Sequence, residues 1–207
     1  MFFLVLFAVL GSTVALPPSP CCLSPQHEYF AETVGAYVNA SEFNNPDART
    51  SREGSYHYYY DGLNMKQAIV SRLWKPDGTF ASTRTILLYN EGVSYSIDQD
   101  TGSCIRTGFP PGTAMTPRCV ADNATLLAST EFGVPPKDIS TNTWAWKVGS
   151  LDIRSINTAD DCTPLMTGWY YTIDGTSAAV TTMMTNYHAG IRDQSVFSVV
   201  GYNCPTS

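Results

Sequence analysis

The sequence predicts an all-β fold in one domain, a sandwich or open barrel of about ten antiparallel strands. Two observations carry this. Short runs of period-two alternation recur along the chain, each closed by Gly, Pro, Asn or Asp at hairpin spacing. Charged residues are only 14% of the chain, against about 25% in typical domains. Tyrosine and threonine are plentiful instead, and both suit a pleated surface.

Residues 1–15, MFFLVLFAVLGSTVA, are almost wholly apolar and end in small residues at Thr13 and Ala15. They read as an export signal cleaved after Ala15, too short to cross a bilayer comfortably. LPPSP follows and cannot continue a helix. Residues 16–207 then form a single domain with enough chain for a substantial core. No later segment is apolar for long enough to be an integral membrane span, so the expected product is secreted and soluble.

From Gly54 to Cys104 the strands follow one another closely. SYHYYY (55–60) meets Asp61-Gly62, a strong hairpin signal. KQAIVSRLW (66–74) ends at KPDG (75–78), another turn. TFASTRTILLY (79–89) runs to Asn90-Glu91-Gly92, and VSYSI (93–97) returns with Val93, Tyr95 and Ile97 on one face, Ser94 and Ser96 on the other. GFPPGTAMTPRC (108–119) is loop by its Pro and Gly content, and ADNATLLASTEFG (121–133) fits one short amphipathic helix. Strand patterning then resumes. Trp144, Trp146 and Val148 alternate with Thr143, Ala145 and Lys147, and Leu151 and Ile153 with Asp152 and Arg154. Trp169, Tyr171 and Ile173 share a face in GWYYTID (168–174). AAVTTMMTNY (178–187) and SVFSVV (195–200) complete the set.

Several function classes drop out. A net charge of −6 argues against nucleic acid, which needs a basic face. His27-Glu28-Tyr29-Phe30-Ala31 begins like a zincin helix but lacks the second histidine. Nucleophile-elbow, P-loop and dinucleotide motifs are absent. Asp100-Thr101-Gly102-Ser103 has the letters of an aspartic protease loop, yet two such aspartates must share a proton and only one copy exists. The reading is a binding protein, not an enzyme, with no organic cofactor. Asp98 and Asp100 start like a calcium loop, but Ser103 and Phe109 stand where an EF-hand needs Gly and Glu. An irregular calcium site at Asp98 and Asp100 stays open, with Asp160-Asp161 and Asp193 as comparable candidates. The plainest account of residues 86–104 is a hairpin clamped at its end by Cys104.

Six cysteines, Cys21, Cys22, Cys104, Cys119, Cys162 and Cys204, make an even set in an exported chain and predict three disulfides. No C-x-x-C occurs, so zinc ribbons and thioredoxin-type chemistry are excluded. Asn39 and Asn123 head N-glycosylation triplets. Tyr56, Tyr58 and Tyr60 share one strand face, as do Trp144 and Trp146, and Trp169 and Tyr171. Such rings either fill the space between sheets or line an apolar pocket. His57 and His188 are candidates to gain charge between pH 7 and 5 and favour anionic groups.

YYDGLN (59–64), ILLYNEGVSYSIDQDTGSC (86–104), DDCTP (160–164) and GIRDQSVFSVVGYNC (190–204) together resemble the ependymin and ependymin-related family. The resemblance implies two stacked antiparallel sheets curved into a half-barrel, similar to bacterial lipoprotein carriers, around a deep apolar pocket. It implies secreted or lysosomal glycoproteins that form homodimers and bind calcium and anionic lipid or ganglioside, some of them tied to cell–matrix adhesion. By resemblance Cys22 pairs with Cys162 and Cys104 with Cys204; Cys21 and Cys119 have no counterpart in the family pattern and are expected to bridge each other, with the adjacent Cys21 and Cys22 free to exchange partners. The expectation is a secreted glycoprotein holding amphipathic lipid. The alternative is a calcium-dependent adhesion protein of the extracellular matrix, without bound lipid.

Overall fold

A computed structural model describes residues 18–39, 49–75, 77–173 and 175–205. The expected signal peptide, and the part of the Asn39 triplet beyond Asn39 itself, lie outside these residues. Eleven strands are present: β1 (Gln26–Asn39), β2 (Arg49–Asp61), β3 (Lys66–Trp74), β4 (Phe80–Leu88), β5 (Val93–Asp98), β6 (Cys104–Gly108), β7 (Thr125–Phe132), β8 (Ile139–Val148), β9 (Leu151–Thr158), β10 (Pro164–Ile173) and β11 (Thr176–Ala189). All join one antiparallel sheet in the order β6-β5-β4-β3-β2-β1-β11-β10-β9-β8-β7. The fold is all-β, as expected. The two halves, β1–β6 and β7–β11, are meanders of hairpins fused at their centre. There β1 pairs with β11 from His27↔Ala189 to Asn39↔Thr176, which makes the halves one continuous sheet.

Cross-strand register fixes which side chains share a face. His27, Tyr29 and Ala31 of β1 lie opposite Tyr60, Tyr58 and Tyr56 of β2. On the other side Ala31 meets Met184, Thr33 meets Thr182 and Gly35 meets Val180. The same face continues through Trp169 and Tyr171 of β10, Ile153 and Ser155 of β9, and Trp144 and Trp146 of β8. We call it the aromatic face. The sheet curves about it: Tyr60 of β2 is 7% exposed and Trp144 of β8 only 2%, though four strands separate β2 from β8.

The opposite face builds a second core. Ala68, Ile86 and Ile97 are covered by Val196 and Phe197 of the C-terminal segment. Three features strap that segment down. Cys204 is bonded to Cys104, the Lys66 ammonium sits 4.3 Å from the Phe197 ring, and Arg192 pairs with Glu28.

Three sequence expectations change. Residues 195–200, read as a strand, form a 3₁₀ helix at Gln194–Phe197 followed by turns. The Asp193 carboxylate accepts from the Ser195 amide and starts that turn. Val196 and Phe197 then both enter the core, which neighbours in a strand cannot do on one face. Residues 121–133, read as a helix, are a turn and then the edge strand β7. There Leu126 packs opposite Trp144, and Ser129 Oγ donates to Asn142 at 2.8 Å. Cross-strand pairing outweighs the helical pattern. The third change concerns sulfur. Cys104–Cys204 pairs as expected, but Cys21 joins Cys162 and Cys22 joins Cys119. Leu23 N donates to Arg118 O and Val120 N to Cys21 O. That ladder sets Cys22 directly opposite Cys119 as a non-hydrogen-bonded pair. Adjacent residues of extended chain point to opposite sides, so Cys21 is aimed away, at Cys162.

Candidate functional site

All seven aromatic residues singled out from the sequence stand on the aromatic face, but they do not all do the same thing. Tyr56, Trp169 and Tyr171 come together around a cleft of about 220 Å³, which Tyr29, Val180, Thr182 and Met184 complete. Tyr58 and Tyr60 extend the row away from the cleft. Tyr58 packs on Tyr29 with centroids 5.0 Å apart, and Tyr60 stacks on His27 at 4.8 Å. Trp146 is half-buried, while Trp144 is packed solid in the same face.

The residues missed from the sequence are Tyr29 and the β11 set Val180, Thr182 and Met184. The alternation of His27, Tyr29 and Ala31 marks β1 as a strand in hindsight. No local signal says that β11 presents its even-numbered residues to the same side.

Electrostatically the face is neutral. Burial pushes the hydroxyls of Tyr29, Tyr56, Tyr58 and Tyr60 above the ordinary tyrosine range, with neighbouring tyrosines adding to the effect at Tyr29 and Tyr58. Burial also lowers the His27 pKa; the Ser24 carbonyl opposes that and Arg118 adds to it. His27 Nδ1 lies 2.7 Å from that carbonyl. A carbonyl only accepts, so Nδ1 carries a proton, and the lowering by burial favours the neutral ring. Near neutral pH the face thus offers aromatic surface and uncharged hydroxyls.

The β6–β7 connection, residues 109–124, borders this face. Its Thr116 hydrogen-bonds Tyr58, the Arg118 guanidinium donates to the Leu23 carbonyl, and Cys119 is tied to Cys22.

The acidic candidates are occupied as turn caps. Asp98 Oδ1 accepts from the amides of Asp100 and Thr101, each at 2.9 Å. Those bonds, that of Thr101 first, hold its pKa below the ordinary value. Asp160 accepts from the Asp161 amide, Asp161 from Thr158 and the Thr163 amide, and Asp193 from Ser195. Among the described residues no group of three or more His, Cys, Asp or Glu side chains is placed to hold a metal ion. Asn123 is exposed in the turn before β7. His57 and His188, separate candidates in the sequence, line one cleft on the opposite face.

A family model described as Ependymin matches residues 77–202. Mammalian ependymin-related protein 1 of Mus musculus is 26% identical over 142 residues, covering 67% of this chain and 61% of that protein. The chain therefore spans less than two thirds of that relative's length. Ependymin-related protein 2 of Haliotis asinina is 23% identical over 210 residues, 96% of each chain. Among solved structures, an uncharacterized conserved protein from Thermus thermophilus aligns over 76% of this chain and 79% of its own, at 12% identity and a TM-score of 0.40. That likeness is too loose to carry structural detail.

Proposed function

This chain belongs to the ependymin family, and from that premise we propose that it is a secreted binding protein holding the apolar part of an amphipathic lipid against its aromatic face. The observation that carries the reading is the cleft bounded by Tyr29, Tyr56, Trp169, Tyr171, Val180 and Met184. It is walled by rings and aliphatic side chains, and its polar side-chain groups are uncharged: tyrosine and threonine hydroxyls, the Trp169 indole N–H and the Met184 thioether. Burial of each methylene of a bound chain contributes about 0.8 kcal/mol, while any charged headgroup stays in water.

Size sets the form of binding. Sites for drug-sized ligands run from about 300 to 1,000 Å³, and this cleft is about 220 Å³. It suits one segment of a single chain, with the remainder laid along Tyr58 and Tyr60, not a whole two-tailed lipid. Among the described residues no helix is long and apolar enough to cross a membrane, which is consistent with a carrier that meets lipid from outside the bilayer.

The test is a titration of the purified, disulfide-bonded protein with a fluorescent single-chain fatty acid, beside native mass spectrometry of the secreted material. Filling the cleft with Val180→Trp is expected to weaken probe binding at least tenfold, about 1.4 kcal/mol, with the unfolding midpoint largely kept. Equal binding by wild type and a folded Val180→Trp variant, or no co-purifying lipid together with no probe binding, would overturn the proposal.

A further inference from the structure

On the face of the sheet away from the aromatic row lies a cleft of about 310 Å³, where β11, β1 and β2 run side by side beneath the C-terminal segment. Its floor is Glu28, flanked across the strands by His188 on one side and Tyr59 on the other. One step along β1, Phe30 pairs with His57, and the two rings meet edge-on at 5.2 Å. The register of β1 against β11 slips between Glu28 and Phe30, and Asn186 in this stretch has a left-handed φ of 53°. Bulges of this kind re-aim side chains beside functional sites. Here the slip returns His188 to the same face as Glu28.

We propose that this cleft is a binding site for a small oxyanion, a phosphate monoester or inorganic phosphate, closed around the ligand by His57, His188 and Arg192. Among the described residues Glu28 is the one carboxylate lining the cleft, and it is already neutralised. It is 4% exposed, accepts from the Arg192 amide at 3.1 Å, and pairs with Arg192 Nε. That pairing orients a guanidinium whose side chain is 65% exposed. Its two terminal amino groups have no protein partner among the described residues. The same holds for both ring nitrogens of His188 and for His57 Nε2, whereas His57 Nδ1 lies 3.3 Å from the Tyr59 hydroxyl.

Donors from three residues thus surround one space with nothing bonded to them. Such a set matches an oxyanion, for which a guanidinium fork is the best-fitted partner. The other ionisable side chains lining the cleft are Tyr29, Tyr59 and Tyr187; burial raises the hydroxyls of Tyr29 and Tyr59, and the charges acting on Tyr59 are Glu28, Asp193, Arg192 and Arg84. Asp193 is held as the cap of the 3₁₀ helix. The lining residues sum to no net charge with neutral imidazoles and to two positive charges with both protonated. Either state leaves no uncompensated negative charge to repel an oxyanion.

The proposal stands apart from the lipid reading, because its residues lie on the other face and its first probe has no acyl chain. The chain has three histidines, so three imidazole signals report directly in proton NMR, and buried His27 is an internal control. Inorganic phosphate titrated into the intact protein at pH 5.5 is expected to shift His57 and His188 saturably and leave His27 in place. His57→Gln with His188→Gln, both at exposed positions, is expected to weaken binding more than tenfold while fatty-acid probe binding is unchanged. A second arm uses a water-soluble short-chain phosphatidic acid. Binding of that ligand alone at the same two histidines assigns the oxyanion to a lipid headgroup; binding of both assigns it to the free phosphate group. Binding of neither, or full binding by the double variant, overturns the site.

Discussion

Asp61 offers the sharpest check on how the centre of the sheet is held. It ends β2, is 0% exposed, and its carboxylate accepts from Gln26 Nε2 at 2.9 Å, the Asn64 amide at 3.1 Å and Asn64 Nδ2 at 2.8 Å. Lys66 Nζ stands 3.6 Å away. One side chain thereby ties the starts of β1 and β3 to the turn between β2 and β3. Burial alone raises its pKa, but hydrogen bonds from Asn64 and Gln26, then the charge of Lys66, outweigh it and hold the carboxyl below 3.8. Hydrogen bonds to a charged group contribute about 1.5–3 kcal/mol each. Asn64 is exposed and turns to water when its partner is lost, so the three do not sum. We expect Asp61→Ala to destabilise by about 3 kcal/mol, the lower end for breaking a buried charge pair. Asp61→Asn keeps one acceptor and is expected to lose roughly half of that. Urea unfolding followed by tryptophan fluorescence, disulfides intact, reads this as a midpoint lower by about 1–2 M. The sign with pH follows from the lowered folded pKa. The contribution is complete above the unfolded value and fades as pH falls through the folded one. The wild-type advantage over Asp61→Asn is therefore expected to shrink below about pH 4. A midpoint shift under about 0.3 M for Asp61→Ala, or an advantage as large at pH 2 as at pH 7, would refute the reasoning.

Other outcomes follow from the same contacts. Trp144→Ala empties a site 2% exposed and is expected to cost about 3–5 kcal/mol. Trp144→Phe is expected to cost less than about 1.5 kcal/mol, because the indole Nε1 has no hydrogen-bond partner among the described residues. Calorimetry separates the two, and equal losses would mean that the indole nitrogen is bonded after all. Replacing Cys104 and Cys204 together by serine opens a bridge of sequence separation 100 and is expected to cost about 4–5 kcal/mol through the unfolded chain. A loss under about 1 kcal/mol, with the segment still protected from proteolysis, would show that Phe197 and the Arg192–Glu28 pair hold the strap without sulfur.

Local chemistry made much of the fold legible. Asp61-Gly62, the Lys75–Gly78 turn and Asn90-Glu91-Gly92 lie where the chain reverses, because turn residues act over three or four positions and need no distant partner. The hairpin of residues 86–104 was readable for the same reason. SVFSVV misled because Val196 and Phe197 are apolar in either conformation, and their strand-like letters carry no trace of the core they enter. The Asp193 cap was the available signal.

By itself the sequence determined that the chain makes β-hairpins, that its cysteines are all paired, that it belongs to this family, and which rings share a face within each strand. It did not determine that the faces of β2, β8 and β10 coincide, that Tyr29 and Met184 join them, that Cys21 and Cys22 take the partners they do, or that His57 and His188 line one cleft. The sulfur partners follow from the ladder of residues 21–23 with 118–120; the rest depend on the pairing of β1 with β11, residues 26–39 against 176–189. Alternation fixes a side chain's direction relative to its own strand. Only the register between segments far apart in the chain fixes it relative to the next strand, and a slip of one residue would turn the whole β8–β11 aromatic set outward.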